Sequence, residues 1–452
     1  MTKYLIIFRV IHWVKVTSSL SLKRFFKILG SILVALILLL VIAFWLVSKE
    51  KYQNLLAQKG AQYLSEKLKT KVEINRVSFT FFNHFNLKGV YIEDNYKDTL
   101  AYIGNIQLRT SELLSNYWNN SKPVIKNITL ENVYVNLNRK KDSTWNYDFI
   151  SSAFQSDTKE ASQTIEPKST TNESPKNPEI DLKNIICKNI RFFMNDGWRG
   201  EDMNFTFQKL ELSTNEIDLS KKNLNLEAID IEGADIAVRE YDGYKPEDLT
   251  PDDTTDWGTP FNPDLYKINL KRFHLSNSKF SYIDGNEIPN PKEFDEKNIV
   301  INNLNLDLDN TRIVSDTIFS SITKLSANER CGLVIKELRS DVKLSQVHAS
   351  LNNLLLKTNY STIGHHYEMN YKNFHDFNDY INKVNMKANI SNTNVSSLDI
   401  GYFANILNEY PISINLAGSM DGTVDNLVGK NISLQTRNTS FKGDATVIGL
   451  PD

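Results

Sequence analysis

The apolar residues change their spacing near residue 50. Residues 28–47 form twenty consecutive positions without a charged side chain, whereas most of the chain after residue 70 alternates between apolar and polar residues. At 1.5 Å per residue, a helix of this length spans the roughly 30 Å hydrocarbon core of a bilayer. We therefore predict a transmembrane helix over 28–47. The residues that mark its apolar surface are Ile28, Leu36, Leu40, Trp45 and Val47.

The charges around this run predict its orientation. Residues 1–49 contain seven Lys or Arg and no Asp or Glu, and six of the seven precede the apolar run, with Lys23, Arg24 and Lys27 directly in front of it. By the positive-inside rule, residues 1–27 form a cytoplasmic basic segment and the rest of the chain lies outside the cytoplasm. A cleaved signal peptide is the alternative, but its apolar core is only about 7–15 residues long and ends at small residues. The run in this chain is longer than such a core and ends in bulky residues, which favours an uncleaved anchor.

Behind the anchor, residues 51–70 place apolar side chains at spacings of three, four and seven, which predicts a short amphipathic helix. Short alternating runs follow, separated by Asn, Asp, Gly and Lys, and predict strands such as Thr99–Thr110 and 304–308. The stretch 155–179, rich in Ser, Thr, Pro, Lys and Glu, predicts a disordered loop or linker. A second long loop is expected over 241–263. The predicted organisation is a helix with strands over 48–154, the linker, and a repetitive β region over 180–452.

Four segments of this β region share one pattern. Apolar residues alternate, change parity at Asn132, Asn189, Gly233 or Asn277, and then alternate again, at successive offsets of 57, 44 and 44 residues. Since neighbouring side chains of a strand point to opposite faces, a parity change turns the apolar side chains over unless the strand bulges there. Asn and Gly tolerate the left-handed conformation that such a bulge needs. We therefore predict kinked strands that keep one apolar face, although four ordinary strand–turn–strand units are the alternative.

The positions after the parity change are the candidate lining of an apolar groove. They are Val133, Val135, Leu137, Ile190, Phe192, Met194, Ile236, Val238, Phe280 and Tyr282. The positions before it begin at Ile128, Ile185, Ile229 and Phe273. A weaker fifth copy is centred on Gln346, with Val342 and Leu344 before it and Ala349 and Leu351 after it.

Strands with one apolar face must bury that face, and this chain has little helical sequence to cover it. An elongated sheet curled into a groove leaves that face open to an apolar ligand, and lipid chains fit this need. Exposing a 16-carbon chain to water costs about 12 kcal/mol at about 0.8 kcal/mol per methylene, and a continuous groove removes most of that barrier. The alternative is a scaffold whose exposed strand edges pair with client β-proteins. A carrier needs unbroken apolar residues, and the alternation favours it.

Several tracts occur in the order found in a known family. They are 51–75 (KYQNLLAQKGAQYLSEKLKTKVEIN), 90–94 (VYIED), 99–114 (TLAYIGNIQLRTSELL), 143–150 (STWNYDFI), 397–407 (SLDIGYFANIL), 416–427 (LAGSMDGTVDNL) and 443–452 (GDATVIGLPD). In these tracts the chain resembles the AsmA-like superfamily, and most closely the N-terminal part of TamB-type translocation and assembly module proteins.

The resemblance implies a location and a role. It implies a single-pass protein of the cell inner membrane with an elongated periplasmic β-structure that encloses an apolar groove. It also implies a role in outer-membrane biogenesis, either in phospholipid transport between membranes or in assembly and secretion of outer-membrane proteins. TamB-type proteins are longer and end in a domain that meets an outer-membrane barrel partner. The β region is therefore expected to continue beyond this sequence, and such a partner would bind to a part absent here.

The remaining chemistry is sparse. After residue 49 the net charge is about −9, which argues against nucleic acid as a partner. The two cysteines, Cys187 and Cys331, are too few for a disulfide framework and are expected as separate thiols, with a single bridge as the alternative.

One His-rich stretch has the residue types of a zinc site. It contains His365, His366, Glu368, His375 and Asp376. Adjacent histidines in a strand point to opposite faces, so a polar turn is the favoured interpretation. The sequence also lacks a nucleophile elbow, a P-loop and a dinucleotide fingerprint. We therefore expect no enzymatic activity, metal or cofactor.

Overall fold

The protein is mainly β, as predicted. The computed structural model describes residues 50–80, 83–110, 124–141, 143–153, 181–218, 220–246 and 262–449. No helix within these ranges has the length and apolar content needed to cross a bilayer. The predicted basic segment 1–27, the anchor 28–47, the linker 155–179 and most of the loop 241–263 lie outside the described residues.

Seventeen strands form one sheet. The first nine are β1 (Val72–Thr80), β2 (His84–Glu93), β3 (Thr99–Thr110), β4 (Val124–Arg139), β5 (Asp181–Asp196), β6 (Glu201–Asp218), β7 (Asn223–Glu240), β8 (Lys267–Asp284) and β9 (Asn298–Val314). The others are β10 (Thr317–Glu329), β11 (Val334–Leu344), β12 (His348–Lys357), β13 (Thr362–Asn370), β14 (Asn385–Ser396), β15 (Ser413–Gly422), β16 (Asn426–Gln435) and β17 (Ser440–Ile448).

Helix α1 (Glu50–Leu68) lies against β1 and confirms the helix predicted over 51–70. Ala57, Ala61 and Leu68 are buried in this contact, as is Val72 at the start of β1. The side-chain oxygen of Asn54 accepts a hydrogen bond from the backbone N–H of Val77 at 3.3 Å. The helix therefore packs along the first strand of the sheet, where it shields backbone groups that would otherwise form an open edge.

Each strand pairs with the next strand along the chain. The pairs are antiparallel except for β4–β5 and β7–β8, which are parallel. Long connections precede the second strand of each parallel pair, as the crossover between parallel strands requires. In β4–β5, Ile128 pairs with Ile185, and in β7–β8, Ile229 pairs with Phe273. The repeat offsets of 57 and 44 residues are therefore the registers of the two parallel pairs.

The parity changes are kinks inside continuous strands. Asn132, Asn189, Gly233 and Asn277 have φ angles of 56°, 53°, 60° and 50°, in the left-handed region. The prediction of kinked strands is confirmed for these four segments, and the strand–turn–strand alternative is wrong for them. The amide of Asn189 also donates a hydrogen bond to the side-chain oxygen of Asn132 at 3.1 Å, which joins two kinks across the parallel pair.

The prediction of a fifth kinked strand around Gln346 is wrong. Residues around Gln346 form the turn between β11 and β12, where the backbone N–H of Ser345 donates to the carbonyl of His348 at 2.8 Å. The kink of β12 lies at Asn353, with a φ of 52°. A turn and a kink both interrupt an alternating pattern, so parity alone does not separate them.

The kinks form two lines across the sheet. The first kink line consists of Gly89 on β2, Asn132 on β4, Asn189 on β5, Gly233 on β7, Asn277 on β8 and Asn303 on β9. The second kink line consists of Asn310 on β9, Asn353 on β12, Asn392 on β14 and Asn431 on β16. Strands pack tightly along these lines, since a Cβ added at Gly233 would lie 2.4 Å from the side chain of Gln208 on β6.

We expect the substitution Asn277→Val to destabilise the fold by about 1–2 kcal/mol, because a β-branched residue is strained at a positive φ. Asn269→Val on the same strand is the matched control, since Asn269 is also exposed but does not have a positive φ. Urea unfolding of the full chain, followed by circular dichroism, measures both. Equal stability of the two variants would contradict the role assigned to the kink, and Asn277→Gly should retain the wild-type stability.

Candidate apolar binding face

The kinks leave the apolar side chains of each strand on one face of the sheet. On β5, Ile185 and Cys187 precede the kink, and Ile190 and Phe192 follow it with the opposite parity. The extra left-handed residue compensates for the parity change, so all four point to the same face. Directly paired residues of neighbouring strands also share a face. The strand registers therefore extend this surface, which we call the apolar face, from strand to strand.

One line of apolar residues crosses thirteen consecutive strands in register, and we call it the central apolar row. It consists of Val77, Leu87, Ile106, Leu130, Cys187, Leu210, Ile231, Leu275, Leu306, Leu325, Leu338, Leu356 and Ile363. With strands about 4.8 Å apart, the row is about 58 Å long. Leu275 is buried and the others are half-buried.

The row continues on β14 through Thr393, as the register of Thr362 with Asn394 indicates. The hydroxyl of Thr393 donates to the carbonyl of Gly364 at 3.0 Å and accepts the N–H of the same residue at 3.1 Å. Its polar atom is therefore satisfied by the backbone. Beyond it, Thr393 pairs with Leu416, which pairs with Leu434.

All ten residues predicted to line a groove lie on the apolar face. Val135, Phe192, Ile236 and Phe280 belong to one cross-strand row, completed by Phe205 on β6. The rings of Phe192 and Phe205 stack with centroids 5.8 Å apart. Two flanking rows contain the other six candidates. One contains Val133 and Ile190, and the other contains Leu137, Met194, Val238 and Tyr282.

The sequence pattern missed the lining residues of β6 and β9. They are Met203, Phe205, Phe207, Ile299 and Ile301. On β6 the parity changes at Gln208, which is neither Asn nor Gly and does not have a positive φ. On β9 the signal was present, because Ile299 and Ile301 precede Asn303 and Leu304 follows it.

The opposite face carries charges that pair between neighbouring strands. Lys188 lies 3.1 Å from Glu131, and Lys271 lies 2.6 Å from Glu227. Hydrogen bonds from Asn105 and Lys188 lower the pKa of Glu131. Exposed ion pairs of this kind add only about 0–1 kcal/mol each, but they keep this face in water. The sheet therefore has one solvated face and one apolar face.

Little of the described chain covers the apolar face. Only fourteen apolar side chains are buried among the described residues, and several of them belong to the contact between α1 and β1. Near β13 and β14, Tyr380 of the short helix α2 (Tyr380–Lys383) meets this face, and its hydroxyl lies 2.8 Å from that of Tyr367 and 3.0 Å from the sulfur of Met386. Elsewhere most of the side chains of this face are only half-buried, so the face has room for an apolar ligand.

A polar network closes the ends of β2–β5 and contains the 143–150 motif. Asn146 is 1% exposed and donates hydrogen bonds to Asp94 at 2.9 Å and to the carbonyl of Asn136 at 3.0 Å. Beside it, Arg139 forms an ion pair with the buried Asp196. Burial raises the pKa of Asp196, but Arg139 and the backbone N–H of Arg199 lower it by a larger amount. The pKa of Asp196 is therefore below its ordinary value. These residues stabilise the strand ends.

The His, Glu and Asp residues that were considered for a zinc site do not form one in the structure. His366 lies 2.8 Å from Asn352 and 3.4 Å from Glu368, whereas the adjacent His365 has the opposite orientation along β13. The buried Asp376 accepts a backbone N–H, from Lys372, at 2.7 Å. Within the described ranges, no three His, Cys, Asp or Glu side chains are placed to hold a metal ion.

The two cysteines are unpaired in the structure. Cys187 belongs to the central apolar row, and burial raises the pKa of its thiol. Cys331 lies in the turn between β10 and β11, where burial and Glu329 raise its pKa to about 11. Both thiols therefore stay protonated at neutral pH.

Comparison with known proteins gives one match. A family model, TP_0324_N, described as an N-terminal domain, matches residues 53–229. The matched part runs from α1 into β7 and includes the kinks at Gly89, Asn132 and Asn189. Neither a curated protein nor a solved structure matches the chain.

Proposed function

We propose that the chain is a carrier that holds phospholipid acyl chains on its apolar face and lets them move across the sheet, without catalysing a reaction. The observation that supports this most directly is the central apolar row, which contains no charged side chain over thirteen strands. A methylene group that leaves water for such a surface gains about 0.8 kcal/mol. A continuous row keeps this gain nearly constant along the path, so that a lipid meets no large barrier between neighbouring strands.

The central apolar row begins close to the predicted anchor, which supports a membrane origin for the lipid. Helix α1 begins three residues after the predicted anchor and packs on β1, and β1 contains Val77, the first residue of the row. In this proposal the sheet curls into a groove, and lipid enters beside the anchor. The positive-inside charges and the AsmA-like resemblance support an anchor in the inner membrane, a sheet in the periplasm and a role in outer-membrane biogenesis.

The scaffold alternative has less support. A scaffold that pairs its strand edges with client β-proteins binds through backbone groups and tolerates polar residues along its face. The uninterrupted apolar row is not required for that activity.

The proposed topology predicts that a reporter active only in the cytoplasm is silent when it is fused after Asp452. The same reporter inserted before Ile28 should be active, and it provides the positive control. Activity of the fusion after Asp452, measured in intact cells, would reverse the orientation and exclude a periplasmic carrier.

The proposed groove predicts that Phe192→Asp and Phe280→Asp reduce lipid binding severalfold while the chain stays folded. Both side chains are half-buried, so an introduced carboxylate keeps some water but interrupts the apolar surface. Phe193→Asp is the matched control, because Phe193 lies on the opposite face, with its ring 5.7 Å from that of Tyr134. Crosslinking to a photoactivatable phospholipid measures binding, and circular dichroism measures folding.

Two results would count against the carrier. Unfolding of both apolar-face variants would indicate a closed core in place of a groove, since buried unpaired charges unfold proteins. Wild-type crosslinking in folded Phe192→Asp and Phe280→Asp would show that lipid does not use this face.

A further inference from the structure

The connection between β14 and β15 reverses the usual arrangement of polar and apolar side chains. This rim segment, residues 396–412, contains helix α3 (Ser397–Ile400) and a 3-10 turn (Asn405–Glu409). Five of its apolar side chains are exposed, namely Ile400 (41%), Phe403 (61%), Ile406 (63%), Tyr410 (68%) and Ile412 (45%). Single exposed apolar residues are common, but five within thirteen residues are a concentration that is typical of an interaction site.

Polar contacts hold the rim segment to the sheet. The buried carboxylate of Asp399 accepts hydrogen bonds from the hydroxyls of Thr358 and Ser361, at 2.6 and 2.5 Å, and from the N–H of Tyr360 at 3.1 Å. The hydroxyl of Ser397 donates to the carbonyl of Tyr410 at 2.9 Å. The segment is therefore ordered without burying its apolar side chains. Its outward apolar surface is a stable feature of the fold.

The rim segment contacts three connections between strands, which lie at the same end of the strands. Asp399 contacts the turn between β12 and β13. The ring of Tyr402 lies over Gly332 in the turn between β10 and β11, where an added Cβ would be 3.5 Å away. Phe294, between β8 and β9, donates its N–H to the carbonyl of Tyr402 at 2.7 Å, and its ring lies 5.3 Å from that of Phe403.

The central apolar row lies close to the strand ends at this place. On β5 the row residue, Cys187, lies near the middle of the strand. On β12 the row residue, Leu356, is next to the last residue, and on β13 Ile363 is the second residue. The turn that joins these two strands holds Asp399 of the rim segment. The polar contacts that hold the rim segment therefore lie next to this part of the central apolar row.

We propose that the rim segment inserts its exposed apolar side chains into the surface of a lipid bilayer, next to the strands on which the central apolar row lies closest to the strand ends. This inference rests on the proposed carrier function and assigns a membrane-docking site to it. The composition favours a bilayer, because residues 400–412 contain one charged residue, Glu409, and no basic residue. Tyr402 and Tyr410 have the amphipathic rings that suit the membrane–water interface. Docking should therefore not require anionic lipid.

The test uses the full chain reconstituted in nanodiscs. The nanodiscs are immobilised through the membrane scaffold protein that encircles them. Binding of protein-free phosphatidylcholine vesicles is measured by surface plasmon resonance. We expect the double variant Phe403→Ser, Ile406→Ser to bind vesicles at least about tenfold less, because two apolar side chains no longer enter the bilayer. The control Val347→Ser, Ile448→Ser removes side chains that are 53% and 74% exposed elsewhere and should bind like wild type.

Three outcomes separate the docking site from the carrier. Loss of vesicle binding with wild-type lipid crosslinking supports docking by the rim segment. Unchanged vesicle binding in the folded double variant overturns it. If the same variant also loses self-association, a second copy of the chain is the occupant. Vesicle binding by a wild-type chain that fails to crosslink lipid would overturn the carrier and leave docking in place. If the double variant unfolds, the single variant Ile406→Asn takes its place.

Discussion

The two-residue periodicity of a strand is the constraint on which this structure depends. An extra residue within a strand exchanges the two faces unless the strand bulges at that point, and a left-handed residue is one way to form the bulge. Here Asn or Gly adopts a positive φ at the kinks of β2, β4, β5, β7, β8 and β9, and the faces are preserved. A left-handed residue without a suitable side chain costs about 1–3 kcal/mol, and Asn and Gly avoid most of that cost. Without a bulge at these positions, the six strands would turn the apolar side chains on one side of the kink to the solvated face.

The kinks give the sheet two unlike faces, and the apolar one is incompletely buried. A domain normally closes such a face with a second layer of structure. Among the described residues, α1 packs on β1 and α2 meets the face near β14, but most of the central apolar row stays half-buried. In our proposal, lipid acyl chains supply the missing layer. The same surface then explains stability and function, since the bound lipid buries the side chains along which it moves.

Local patterns in the sequence predicted the local structure well. The helix over 51–70, the strand Thr99–Thr110 and the kinks at Asn132, Asn189, Gly233 and Asn277 were all predicted, because each depends on a few neighbouring residues. The spacing of the repeats even contained the registers of β4–β5 and β7–β8. The central apolar row was not predicted beyond its first repeats, since it depends on pairings between distant strands.

The failures have physical reasons. The turn at Gln346 interrupts the alternation as a kink does, and the parity change at Gln208 occurs without a left-handed Asn or Gly. The rim segment was also missed, because its apolar residues have the spacing of a buried helix. Only the exposed fractions of Phe403 and Ile406 in the structure show that these side chains face outward.

The most direct test of the central claim is a scan of β5 with a photoreactive amino acid, placed at single positions of the full chain in membranes. If one apolar face carries lipid across the kink, lipid adducts should form at positions 187, 190 and 192. Positions 186, 188, 191 and 193 should give none, even though Ile186 and Phe193 are apolar. The shift of parity at Asn189 is the result that only this account predicts. Adducts on both faces, or on neither face of a folded chain, would contradict it.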